Sequence, residues 1–210
     1  MFPALYSILD PNLITGPSLP LAAALADAGV QLIQLRDKSG SAARICAESR
    51  ALVAALSSRG VRLIVNDRPD VAAMAGAGGV HVGQEDLPVE DARRICGSSC
   101  WVGVSTHNLD QLQEADRSSA DYIAVGPVFA TNTKENPDPV VGIDFLRKAR
   151  QLTRKPLVAI GGITIDSAAE VYLAGADAVA VARDLLSADD PPGRARQYLA
   201  TANRIRSICD

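Results

Sequence analysis

Eight short runs of branched apolar residues recur along the 210-residue chain, each followed by a longer stretch of different periodicity. They are Leu5-Tyr6-Ser7-Ile8, Leu32-Ile33-Gln34-Leu35, Arg62-Leu63-Ile64-Val65, Val80-His81-Val82, Trp101-Val102-Gly103-Val104, Tyr122-Ile123-Ala124-Val125, Leu157-Val158-Ala159-Ile160 and Val179-Ala180-Val181. Their length and branching predict buried strands. The segments between them, such as 41–58, 89–96, 109–118 and 167–174, are rich in Ala, Leu, Arg and Glu at helical spacing. A second regularity sits before every even-numbered run: Ala28-Gly29-Val30, Ala77-Gly78-Gly79-Val80, Ala120-Asp121-Tyr122-Ile123 and Gly175-Ala176-Asp177-Ala178-Val179. Small residues there suit a helix end turning into a strand, and the spacing makes the repeating unit a pair of βα modules.

Strand and helix alternating eight times predict a parallel sheet, and a single-domain (β/α)₈ barrel over 1–210 fits a chain near that fold's lower limit of about 200 residues. A doubly wound sheet is the alternative, because strand pattern alone does not reveal closure. With 48% apolar residues the chain can bury a core, and no Pro/Gly/Ser tract is long enough to act as a linker.

A formal charge of −3 argues against a broad nucleic-acid surface, so an anionic ligand must be held by locally placed cations. Cys46, Cys96, Cys100 and Cys209 form no CxxC pair, and with His81 and His107 they make no zinc pattern; buried or idle thiols are expected. The start, Met1-Phe2-Pro3-Ala4, has no basic and apolar leader, and no run could span a bilayer. The expected location is the cytoplasm, without nucleic-acid or membrane partners and with a homo-oligomer left open.

In a barrel, chemistry belongs where strands end and loops begin. After the second strand, alternation sends Gln34, Arg36 and, with continued extension, Lys38 inward. Two cations entering one mouth suit an anion, although Arg36 could equally pair with a carboxylate inside the barrel. Asn66-Asp67-Arg68-Pro69 follows the third strand and Gly83-Gln84-Glu85-Asp86 the fourth, so Asp67 and Asp86 could share a cation. Two carboxylates completed by water and phosphate suit Mg²⁺, whereas helix capping would also explain acids near helix starts. Ser105, Thr106 and His107 end the fifth strand. Without a GxSxG elbow, Ser105 is expected to bond a ligand rather than act as a nucleophile, and His107 is open to a structural or a proton-transfer role. The long segment 126–139, with Thr131-Asn132-Thr133-Lys134 at its centre, reads as a lid over phosphates or as a solvated loop. Gly161-Gly162 after the seventh strand and Ala182-Arg183 after the eighth stand where barrels hold phosphate on backbone N–H groups.

Taken in order, QLRDK, NDRPD, GGVHVGQEDLP, VGVSTHN, ADYIAVGPVFATNTK and KPLVAIGGIT resemble the thiamine phosphate synthase family. The resemblance implies a transferase of thiamine biosynthesis that joins a hydroxymethylpyrimidine diphosphate to a thiazole phosphate, giving thiamine monophosphate and pyrophosphate with Mg²⁺. It further implies that Gln34, Arg36, Lys38 and Asn66 hold the pyrimidine diphosphate, that Ser105 and Lys134 contact the diphosphate, and that Asp67 and Asp86 bind Mg²⁺. Thr131, Asn132 and Thr133 would form the thiazole-phosphate loop, and Gly162, Ala182 and Arg183 its phosphate cradle. Arg36, Lys38, Ser105 and Lys134 are thus the expected catalytic groups. Many members carry Val-Ser where this chain has Ala182-Arg183, so the Arg183 side chain either reaches the phosphate or pairs with Asp184.

The implied reaction needs no protein nucleophile, because positive charge at Arg36, Lys38 and Lys134 with Mg²⁺ would stabilise a departing pyrophosphate. Two other readings stay open. A thiazole tautomerase of the same superfamily would need an acid/base such as His107 but neither the Asp67/Asp86 pair nor Lys134. A non-catalytic phosphate-binding barrel would leave the whole set unexplained.

Overall fold

The computed structural model describes residues 1–131 and 138–209. The strands are β1 (Leu5–Leu9), β2 (Leu32–Leu35), β3 (Arg62–Asn66), β4 (Gly79–Val82), β5 (Trp101–Thr106), β6 (Tyr122–Val125), β7 (Leu157–Ile160) and β8 (Ala178–Val181). The helices are α1 (Ser18–Asp27), α2 (Ala42–Leu56), α3 (Pro69–Ala75), α4 (Val89–Cys96), α5 (Leu109–Arg117), α6 (Gly142–Leu152), α7 (Ile165–Leu173), α8 (Arg183–Leu186) and α9 (Pro191–Cys209). Neighbouring strands pair in parallel, and β8 closes on β1 through Leu5 opposite Val179, so the sheet is a closed barrel and not a doubly wound one. All eight apolar runs are strands, some longer by a residue or two at the ends.

Each strand sorts its side chains by alternation. Outward residues such as Leu5, Ile33, Leu63, Val102, Ile123 and Val179 are buried against the helices. Inward residues, among them Tyr6, Ile8, Leu32, Ile64, Tyr122, Val158 and Ala180, form a separate core inside the barrel. Fully burying each larger side chain contributes about 1.5–3 kcal/mol. Phe2 stacks on Trp101 at the N-terminal end, with ring centroids 5.4 Å apart, and the Arg62 guanidinium lies 4.0 Å over the Trp101 ring. That end is plugged by aromatics, which leaves the C-terminal end for polar groups.

The paired-module reading is visible in two matching clasps. Asp121 Oδ2 accepts from Val102 N at 2.7 Å and from Arg93 of α4. Asp177 Oδ2 accepts from Leu157 N at 2.8 Å and from Arg150 of α6 at 2.8 Å. The small-residue junctions are less uniform than the sequence pattern suggests. Gly29 and Gly175 take left-handed conformations with φ of 100° and 104°, but before β4 the left-handed residue is Gly76, one position ahead of the expected segment. Before β6 the Asp121 clasp takes the place of a glycine turn.

Candidate active site

The C-terminal mouth collects the polar ends of neighbouring strands. Arg36 follows β2 and donates from Nη1 to Asp10 Oδ2, just past β1, at 2.6 Å. Asp10 is also fixed through Oδ1, which accepts from the Asn12 backbone N–H at 3.0 Å and from Asn12 Nδ2 at 3.1 Å. The expectation of an interior carboxylate partner for Arg36 is met, yet the guanidinium makes no further hydrogen bond among the described residues. Lys38 Nζ stands 2.6 Å from Asp67 Oδ2, with its side chain half exposed. Asn66, the last residue of β3 and opposite His81, is half-buried beside them.

Asp67 has φ of 61°, and among the described residues no other non-glycine has a positive φ. Its backbone N–H donates to the His81 carbonyl at 2.7 Å, which ties the turn after β3 to β4. The Asp86 carboxyl is displaced upward from the usual carboxylate range by burial, and the adjoining Asp67 carboxyl adds to the rise. The Gly83 N–H, donating to Asp86 Oδ2 at 2.7 Å, opposes that shift, as does the Lys38 charge. Neither acid caps a helix: Arg68 and Pro88 occupy the caps of α3 and α4, and neither cap has a side-chain hydrogen bond. Two crowded carboxylates with one facing ammonium form a site that a divalent cation would relieve. Among the described residues no group of three or more His, Cys, Asp or Glu is placed to hold a metal. Two protein ligands, with water and phosphate completing the shell, fit Mg²⁺.

Below the mouth a polar thread crosses the barrel interior. Gln34 Nε2 donates to Tyr6 Oη at 2.7 Å, and Tyr6 Oη is 2.9 Å from Tyr122 Oη. Tyr122 Oη is 3.1 Å from His81 Nδ1, and His81 Nε2 is 2.9 Å from Ser105 Oγ. Burial pushes both tyrosine hydroxyls well above their usual range, so they are neutral. Sequence reasoning singled out Gln34 and Ser105 but missed the three residues joining them. Strand alternation placed Tyr6, His81 and Tyr122 inward, and that was the available signal.

The opposite rim holds the segment after β6. Val128 N donates to the Ile160 carbonyl at 2.9 Å and Phe129 N to Gly161 O at 3.0 Å, so this segment lies along the end of β7. Gly162 has φ of 65°, and a Cβ there would fall 2.4 Å from the Ala130 carbonyl oxygen. Only glycine permits that approach. Thr131 is half-buried, while Asn132, Thr133 and Lys134 lie outside the described residues. Ala182 is the cap residue of α8 and Arg183 its exposed first residue. The alternative pairing of Arg183 with Asp184 is not formed: Asp184 binds Arg194 at 3.0 Å and the Tyr198 hydroxyl at 2.7 Å. His107 Nδ1 is 2.6 Å from the Gly126 carbonyl, and Nε2 is 3.5 Å from Asp138 Oδ2, so His107 bridges the ends of β5 and β6. Among the described cysteines, Cys46 and Cys100 are buried free thiols and Cys96 a half-buried one. No helix among the described residues is long and apolar enough to cross a membrane.

Comparison with known proteins converges on one family. The family model described as thiamine monophosphate synthase matches residues 5–185. A thiamine-phosphate synthase of Koribacter versatilis is 51% identical over 203 residues, covering 94% of each chain. One from Chloroflexus aurantiacus is 44% identical, covering 93% of this chain and 91% of its own. The solved structure of a thiamine phosphate pyrophosphorylase from Pyrococcus furiosus superposes with a TM-score of 0.87 at 30% identity, covering 96% of both chains.

Proposed function

The chain belongs to the thiamine monophosphate synthase family, and on that premise we propose that it is a transferase joining an aminopyrimidine methyl group to the nitrogen of a thiazole phosphate. The pyrimidine arrives as its diphosphate, and the products are thiamine monophosphate and pyrophosphate. The carbon–oxygen bond breaks with its electron pair leaving on the diphosphate. The thiazole nitrogen lone pair then forms the new carbon–nitrogen bond. No proton has to be removed, so the step calls on the cations and hydroxyls of the mouth and on no general base.

The carrying observation is the meeting of opposite signs at one rim: Arg36 held by Asp10, and Lys38 held against the Asp67 and Asp86 pair. Arg36 and Lys38, joined by Ser105 and Lys134, would hold the diphosphate and take up its growing charge. Gln34 and Asn66 would orient the pyrimidine. Asp67 and Asp86 are the residues that would hold Mg²⁺, which when bound supplies further positive charge to the leaving group. Thr131, Asn132 and Thr133, with Gly162 and the backbone at Ala182 and Arg183, would receive the thiazole phosphate. Holding both substrates in one mouth would place the thiazole nitrogen to intercept the pyrimidine cation before water does. A tautomerase reading leaves the carboxylate pair and its ammonium partner without a task.

The test is turnover of the purified protein with aminopyrimidine diphosphate and thiazole phosphate, following both products. Equimolar, Mg²⁺-dependent thiamine monophosphate and pyrophosphate are expected. Intact binding without product would overturn the reading. Lys134→Ala is expected to lower kcat more than it weakens thiazole-phosphate binding, and equal turnover would remove Lys134 from its role.

A further inference from the structure

We infer that Tyr122, a residue given no part in the proposed reaction above, is a positioning residue that holds the His81 proton on Nε2 and thereby turns the Ser105 hydroxyl into a donor toward the diphosphate. The inference deepens the transferase reading and rests on it for the identity of the anion.

The direction of the thread follows from counting protons. Gln34 Nε2 donates to Tyr6 Oη at 2.7 Å. The single Tyr6 hydroxyl proton then has Tyr122 Oη, 2.9 Å away, as its acceptor among the described residues. Tyr122 Oη therefore accepts from Tyr6, and its own proton goes to His81 Nδ1 at 3.1 Å. A nitrogen that accepts carries no proton, so the neutral ring is protonated at Nε2 and donates to Ser105 Oγ at 2.9 Å. With its oxygen already accepting, Ser105 has its own O–H to offer into the mouth. With Gln34 Nε2 turned toward Tyr6, running the thread in reverse would strand the buried Tyr6 proton without an acceptor among the described residues, at the full desolvation penalty of that group. Burial keeps both phenols neutral, as the relay requires.

Packing shows that the place of Tyr122 is built. Its ring stacks on His81 with centroids 5.5 Å apart and meets the edge of Tyr6 at 5.9 Å. It also fills the space beside Gly103, where a Cβ would fall 2.0 Å from the Tyr122 ring. The glycine on β5 and the tyrosine on β6 together aim one hydroxyl at His81.

The experiment is long-range ¹H–¹⁵N NMR of the labelled protein near neutral pH. The chain has 2 histidines, and His107→Gln assigns the signals. The expected result is a neutral His81 with its proton on Nε2, and in Tyr122→Phe a loss of that single tautomer. The same variant is expected to lower kcat by about tenfold, the weight of one donor to developing charge, with KM for thiazole phosphate unchanged. A wild-type His81 protonated on Nδ1 or on both nitrogens would overturn the inference, and so would an unchanged tautomer in Tyr122→Phe. The tautomer is read without substrate, so a protein that makes no thiamine monophosphate would fail the transferase reading and leave the His81 result standing.

Discussion

Arg36 and Asp10 extend from adjacent strands and meet at 2.6 Å, both largely shielded from solvent, so the Arg36 cation is fixed before any ligand arrives. A preset cation needs no reorganisation when charge develops on a substrate. Asp10→Asn keeps the size of the side chain and removes its charge. It is expected to lower stability by about 1.5–3 kcal/mol, the range for a charge-assisted hydrogen bond, and kcat by about tenfold as Arg36 loses its fixed orientation. Urea unfolding and steady-state kinetics check the two effects separately.

Asp86 contributes a pH dependence at the mouth. Its carboxyl titrates higher in the folded chain than in the unfolded one, so its contribution favours the fold below the unfolded value and is lost as the pH rises through the folded value. In the absence of metal, wild type is expected to lose melting temperature relative to Asp86→Asn as the pH rises from the ordinary carboxylate range upward. Mg²⁺ is expected to restore the loss in wild type alone. Parallel melting curves for the two proteins across that range would remove the carboxylate crowding from the account.

Gly162→Ala tests the thiazole side. A left-handed φ of 65° costs an alanine about 1–2 kcal/mol, and its Cβ would be driven against the Ala130 carbonyl and Phe129. The segment after β6 must move away. Calorimetric titration is expected to show weakened thiazole-phosphate binding with aminopyrimidine-diphosphate binding retained.

Arg183 stands at the position where the resemblance leads one to expect serine. Asp184 is already engaged by Arg194 and Tyr198, so the exposed Arg183 at the start of α8 is not held by that carboxylate. Arg183→Ser is expected to raise KM for thiazole phosphate by up to about fivefold, the weight of a solvent-screened ion pair, with no change in melting temperature. An unchanged KM would leave the cradle to backbone N–H groups.

The barrel was legible because its strands are short branched runs whose length and regular return allow few other folds. Closure was not, since it depends on β8 meeting β1 across the whole sequence. Within the site, alternation alone brought Gln34, Arg36 and Lys38 to one mouth. Asp10 stayed hidden because it ends a run that reads as core, and its partner comes 26 residues later. Tyr6, His81 and Tyr122 escaped for a related reason: an inward polar group in an apolar strand looks like packing until its hydrogen-bond partners are known. Asp67 and Asp86 were legible as a pair but ambiguous between caps and ligands. The arrangement of α3 and α4 decided against caps, because Arg68 and Pro88, and not the two acids, occupy the cap positions.

The measurement that bears most directly on the opposite-sign mouth is calorimetric titration with pyrophosphate, with and without Mg²⁺, in wild type, Asp67→Asn and Asp86→Asn. The account predicts that Mg²⁺ tightens pyrophosphate binding in wild type and that either substitution abolishes the increment. Equal pyrophosphate affinity with and without Mg²⁺ in wild type, or an increment surviving in both variants, would contradict it.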